Sequence, residues 1–90
     1  MHHVYVLFSL SDRQLYIGYS SDLSRRLAEH DNGNVIATVK RRPLKLIYSE
    51  SYISRQEALR REKFLRGGNG RAQLKKQLVF TLNELGYKHL

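Results

Sequence analysis

The sequence predicts an α/β fold of the α+β type: a small three-stranded, mainly antiparallel sheet flanked by three helices in the order ββαβαα. Three observations carry this. Apolar, β-branched and aromatic runs recur at residues 4–10, 15–19 and 44–52 and read as strands. Leucine-bearing stretches at 22–30, 55–66 and 71–85 have helical periodicity. Only the polar stretch Ser11-Asp12-Arg13-Gln14 separates the first two strands, which predicts a hairpin. Residues 1–90 leave room for one domain and one small core.

Each element has its own signals. VYVLFSL at 4–10 is continuously apolar, as a central strand must be. LYIGY at 15–19 is the second strand. Ser20 or Ser21 can cap the first helix at 22–30, with Asp22 in its first turn, and Asn32-Gly33 stops it. Residues 31–43 form a loop with a basic end, Lys40-Arg41-Arg42, closed by Pro43. LKLIYSESY at 44–52 is the third strand. Ser54-Arg55-Gln56-Glu57 is a capping box opening the second helix at 55–66. Gly67-Gly68-Asn69-Gly70 breaks it. A third helix at 71–85 then buries a stripe of Leu74, Leu78, Leu82 and Leu85.

Composition narrows the function. The chain has no cysteine, which excludes thiolate metal sites, disulfide scaffolds and cysteine nucleophiles. A reducing cytoplasm is the default expectation. No apolar run approaches the roughly 20 residues of a membrane span, and MHHVYVLF lacks a signal peptide's basic start. The formal charge of +8 on 90 residues favours polyanions as partners, nucleic acid first. His2-His3 could bind a metal adventitiously, but packing or solvent is the simpler reading.

Charged residues fall on faces that should be apolar. Successive helix residues lie about 100° apart. In the first helix Leu23 and Leu27 set the inward direction. His30 falls beside Leu23, and Arg26 lies about 60° away, on the same flank. Arg25 and Glu29 sit on the far side, spaced for an exposed i,i+4 pair. Taken singly, Arg26 snorkelling past the leucines and His30 ending the helix as a dipole partner are the cheaper readings. In the second helix Glu62 lies within the apolar arc of Ala58, Leu59 and Leu65. A carboxylate there needs a partner, either an arginine or a metal ion, and because Arg60 and Arg61 do not face it, that partner is expected from elsewhere in the fold. The strands add Tyr5 and Tyr16. Together these five are a plausible kit for phosphodiester hydrolysis: a metal, a base for water and a cation for developing charge. The two tyrosines share a sheet face only if paired residues of the hairpin sum to an odd number, because side chains alternate.

The order Val4-Tyr5-Val6, Tyr16-Ile17-Gly18, Gly18-Tyr19-Ser20-Ser21-Asp22-Leu23-Ser24-Arg25-Arg26-Leu27, Arg42-Pro43, Ser54-Arg55-Gln56-Glu57-Ala58 and Arg61-Glu62-Lys63 resembles the GIY-YIG endonuclease family. The similarity is to its small single-domain bacterial members and runs along essentially the whole chain. The second signature tripeptide matches outright; the first keeps only its tyrosine. The family's essential arginine falls on Arg26 and its metal-binding glutamate on Glu62.

The resemblance implies an endonuclease that uses one Mg²⁺ or Mn²⁺ to cut DNA, with a place in DNA repair or recombination. The lack of a zinc finger, helix-turn-helix or other reading head predicts weak, salt-sensitive binding with little sequence specificity. Tyr5 would be a base or water-orienting phenol. Tyr16 would shape the site. Arg26 and His30 would stabilise phosphoryl charge, and Glu62 would hold the metal. Many members also have a late asparagine. Asn69 is the nearest match here, its simplest reading is turn chemistry, and it stays outside the catalytic set. Lys40, Arg41 and Arg42 are expected to contact phosphates, which position a nucleic acid without reading its sequence. A homo-oligomer or a protein partner is compatible with the sequence. Two rivals stay open: a non-catalytic nucleic-acid-binding module with the same fold, and an interaction domain in which Arg26 and Glu62 form a structural pair.

Overall fold

The computed structural model describes residues 1–87. Two strands, β1 (His2–Ser9) and β2 (Leu15–Ser20), lead into helix α1 (Leu23–Asp31). A short 3₁₀ turn at Val39–Arg41 precedes β3 (Leu44–Tyr52), followed by α2 (Arg55–Arg66), α3 (Gly68–Gln77) and α4 (Val79–Leu85). The sheet order is β2-β1-β3 and both pairings are antiparallel. The most apolar run therefore lies in the centre, as a strand covered on both faces requires.

Alternation along the strands separates two layers. Val4, Val6, Phe8, Leu15 and Ile17 face Ala58, Leu65, Leu74 and Leu82 of the helices, and this is the hydrophobic core. Tyr5 and Leu7 point to the other face and are also buried. There the segment from α1 to the 3₁₀ turn covers them. The odd-sum condition is met: Tyr5 pairs with Gly18 and Leu7 with Tyr16, so the two tyrosines share that face. In β3 a register shift between Val6 and Leu7 leaves Ile47 as the extra residue, a bulge that re-aims the strand.

Several boundaries differ from the sequence expectation. Asp22, rather than Ser20 or Ser21, caps α1, its carboxylate accepting from Arg25 N at 3.2 Å. Ser20 is occupied one step earlier, where its hydroxyl bonds the backbone of Asp22 in both directions at 2.9 Å. Ser54 caps α2 as expected, accepting from Glu57 N. Of the Gly67–Gly70 stretch, only Gly67 is a break; Gly68, Asn69 and Gly70 already belong to α3. Gly70 is small for a packing reason, because a Cβ there would sit 2.8 Å from the Cα of Leu65. The expected single helix at 71–85 is two helices meeting at Leu78. Val79, Phe80 and Thr81 follow the junction, and β-branched and aromatic residues hold a helix weakly. The leucine stripe survives the bend: Leu74 and Leu82 are fully buried, and Leu78 and Leu85 pack against them.

Candidate active site

The central strand places Tyr5 beneath α1. Its hydroxyl lies 2.7 Å from Nε2 of His30, and His30 Nδ1 lies 2.7 Å from the hydroxyl of Thr38. All three side chains are buried. Tyr16 completes an aromatic cluster, its ring 6.4 Å from that of Tyr5 and 5.3 Å from the imidazole. Gly18 makes this possible. It sits opposite Tyr5 in the ladder, and a Cβ there would lie 2.5 Å from the Tyr5 hydroxyl oxygen. The tyrosine ring therefore lies across the glycine. Gly18→Ala is expected to lower stability by about 1–3 kcal/mol and to displace the phenol. Chemical denaturation and the environment of the Tyr5 ring by NMR check both effects; an unmoved ring at unchanged stability would contradict this packing.

The electrostatics sort the groups. Burial pushes the Tyr5 phenol up to about 12, although the Arg26 guanidinium pulls the other way. Burial and the nearby Arg26 charge hold His30 below its ordinary 6.5. The imidazole is therefore neutral at pH 7, with one nitrogen free to accept. Arg26 sits in a charge cluster with Glu29 at 3.0 Å. Glu29 also takes Arg25 at 3.0 Å, so the expected exposed pair is a bridge between both arginines. Glu62 approaches from α2, in the layer on the other side of the sheet. Its ion pair is with Arg66, at 3.2 Å, and Arg66 in turn donates to the Ile17 carbonyl of β2 at 3.1 Å. The two layers thus converge at the β2 edge, where the negative charge of Glu62 acts on Tyr5. Arg26 and Glu62 do not pair with each other among the described residues, which removes the structural ion pair of the interaction-domain reading.

Glu62 is the candidate metal ligand of this site. Among the described residues no three His, Cys, Asp or Glu side chains gather as a cage. A lone carboxylate such as Glu62 suits a hard cation that keeps several waters and takes further ligands from phosphate. His2 and His3 do not converge: His2 bonds Tyr19 on one face and His3 bonds Ser51 on the other.

The basic loop divides into different roles. Lys40 is exposed. Arg41 is a clamp, donating to Asp12 at 2.6 Å and to the Leu15 carbonyl at 3.2 Å. Arg42 bonds the carbonyls of Val39 and Asp31. Asn69, exposed in the first turn of α3, lines a cleft on the outer flank of α2 instead of the tyrosine cluster. Sequence reasoning missed Thr38 and Glu29 as site neighbours. Glu29 had a signal, since it is i+3 from Arg26 as well as i+4 from Arg25. Thr38 lies in a loop and had none.

The family model described as GIY-YIG catalytic domain matches residues 1–76. Among similar proteins, a UPF0213 protein of Halobacterium salinarum is 46% identical over 63 residues, covering 69% of this chain and 80% of its own. One from Staphylococcus epidermidis is 42% identical over 62 residues, covering 68% and 74%. One from Streptococcus agalactiae is 41% identical over 73 residues, covering 80% and 82%. No solved structure matches. No helix among the described residues is long and apolar enough to cross a membrane.

Proposed function

The chain belongs to the GIY-YIG family, and on that premise we propose that it is a divalent-metal-dependent endonuclease cutting DNA phosphodiester bonds with little sequence specificity. The observation that carries this reading is the buried Tyr5–His30 hydrogen bond of 2.7 Å, flanked by Tyr16 and Arg26 and reached by the charge of Glu62. Tyr5 orients the attacking water or takes its proton. A phenol held near 12 does this only with help. His30, neutral and bonded to it, accepts the phenol's proton, and Arg26 stabilises the charge that develops. Tyr16, packed against both rings, shapes the site. Glu62 would hold one Mg²⁺ or Mn²⁺. Bound there, the ion supplies Lewis-acid stabilisation of phosphoryl oxygen and a more acidic water. Lys40 and Arg42 contact the backbone of the nucleic acid, while Arg41 holds their loop to the β1–β2 turn.

The test is cleavage of labelled duplex, branched and single-stranded DNA and of RNA, each with Mg²⁺, Mn²⁺ or EDTA. Metal-dependent cutting supports the enzyme and names its substrate. Salt-sensitive binding with no cutting anywhere in the panel moves the assignment to a non-catalytic module. A pH profile refines the test. Because His30 is held below 6.5, kcat/KM is expected to stay level through pH 7 and to fall on the acid side of 6.5, as the imidazole gains a proton and can no longer accept one. His30→Gln should lose that limb. An acid limb centred above pH 7 would contradict the proposed role.

A further inference from the structure

A second feature of the molecule is left unused by this chemistry. On the core-facing side of β3, Glu50 lies between Tyr48 and Tyr52. Both hydroxyls donate to its carboxylate at 2.7 Å. Arg61 of α2 donates to both carboxylate oxygens, through Nε at 2.9 Å and Nη2 at 3.0 Å. The fixed guanidinium lies 5.6 Å from the ring centroid of Phe64. The network thus holds the Arg61 guanidinium beside one aromatic ring. Phe64 is nevertheless 42% exposed. A cleft of about 430 Å³, walled by Tyr52, opens on one side of it and one of about 400 Å³ on the other.

The surrounding charge is asymmetric. Arg60 lines both clefts, and Lys63 lines only the second. Neither has an ion-pair or hydrogen-bond partner among the described residues. Glu57 stands in the first cleft, so an anion is favoured on the Lys63 side. This flank of α2 turns toward β3 through the Arg61–Glu50 contact. Glu62 and Arg66 turn the other way, toward β2. The surface is therefore separate from the candidate active site.

We infer that Phe64, with Arg60 and Lys63, is an accessory binding site for a single-stranded nucleic-acid segment. One base stacks on the ring and the adjoining phosphates lie against the two cations. Aromatic faces flanked by unpaired cations are how single strands are held without reading sequence, and the complementary charge argues for this occupant over a neutral one. Pre-anchoring Arg61 and Phe64 lowers the ordering cost of the contact. The inference rests on the reading that this chain acts on nucleic acid, but it does not depend on catalysis.

The test is a titration of the ¹⁵N-labelled full chain, at low salt in EDTA, with an oligothymidylate of about eight nucleotides. Amide shifts are expected at Arg60, Lys63 and Phe64. Phe64→Ala should weaken binding about 5–100-fold, and Phe64→Tyr should retain it. Arg60→Gln and Lys63→Gln should each flatten the dependence of log Kd on log salt by about 0.7. Circular dichroism checks folding, and Phe64→Leu, which keeps bulk without the π-face, replaces the alanine variant if that unfolds. Shifts confined to residues around Tyr16, Arg26 and Glu62, with Phe64→Leu binding as tightly as wild type, would overturn the accessory site and leave the enzyme reading intact. No oligonucleotide binding anywhere would sink both. Phe64-dependent self-association without change in oligonucleotide affinity would assign the ring to a second copy of the chain and overturn the inference.

Discussion

Glu62→Gln is expected to abolish cleavage, by at least about 10³-fold, while leaving the fold intact. A loss of that size corresponds to about 4 kcal/mol of transition-state stabilisation, within what a bound metal supplies to phosphoryl transfer. Glutamine keeps the side chain's length and removes the charge an ion needs. The stability cost is small because the pair it breaks is an i,i+4 contact with Arg66, whose side chain is 53% exposed; such pairs contribute about 0.3–0.5 kcal/mol. The same change removes a negative charge that raises Tyr5, so the phenol becomes easier to deprotonate even as cleavage is lost. A bystander carboxylate would predict that Glu62→Gln leaves or slightly improves the rate. Cleavage assays beside thermal denaturation separate the two accounts, and activity within tenfold of wild type would remove Glu62 from the mechanism.

The largest effect on stability is expected at Glu50. Glu50→Ala strands Arg61 and two tyrosine hydroxyls on the core side of the sheet. Breaking a buried pair from one side costs about 3–5 kcal/mol. Arg61 is 27% exposed, so water recovers part of this and about 2–4 kcal/mol is expected. For a domain of this size that is a fall of roughly 10–25 °C in Tm. The pH dependence has a definite sign. Burial alone would raise the Glu50 carboxyl, but Arg61, Tyr48 and Tyr52 outweigh it and hold it below 4.5. The stabilisation is therefore fully present above about pH 4.5 and is lost as pH falls through the lower folded value. Glu50→Ala should show a lower Tm at pH 7 and less further loss on acidification. A variant as stable as wild type at pH 7 would mean the network is no net contributor. Denaturant titrations at pH 7 and pH 4 make the comparison.

Much of this arrangement was legible in the residues, and the exceptions have physical causes. Strand alternation and leucine spacing report which face is buried, so the sheet, α1 and α2 could be read directly. Wheel positions singled out Arg26 and Glu62 because charge on an apolar arc is expensive, yet they could not tell which partner each finds. The structure gives Arg26 to Glu29 and Glu62 to Arg66, at i,i+3 and i,i+4 on their own helices. That spacing was present in the sequence, and it corrects the expectation that Glu62 takes its partner from elsewhere in the fold. The approach of Tyr5 of β1 to Arg26, by contrast, follows from no single helix. The hairpin parity was undecidable because one residue more or less in a turn inverts a face; the Tyr5–Gly18 pairing resolves it. Thr38 was invisible because a lone threonine in a loop has no periodicity. The Glu50 network did leave a trace. Tyr48, Glu50 and Tyr52 alternate along one strand, which puts a carboxylate between two phenols on one face.

Tyr5 belongs to the middle strand of the sheet, locked between core residues Val4 and Val6, and not to a loop that could be exchanged. On the proposed function, a reactive group built into the innermost strand cannot drift without the fold itself changing. Diversification of such a catalyst would then be confined to its margins. Lengthening the segment between α1 and β3, or recharging the outer flank of α2, could redirect what is cut while the chemistry stays fixed. For anyone wishing to re-target this scaffold, the periphery is the adjustable part, and the tyrosine strand is the part to leave alone.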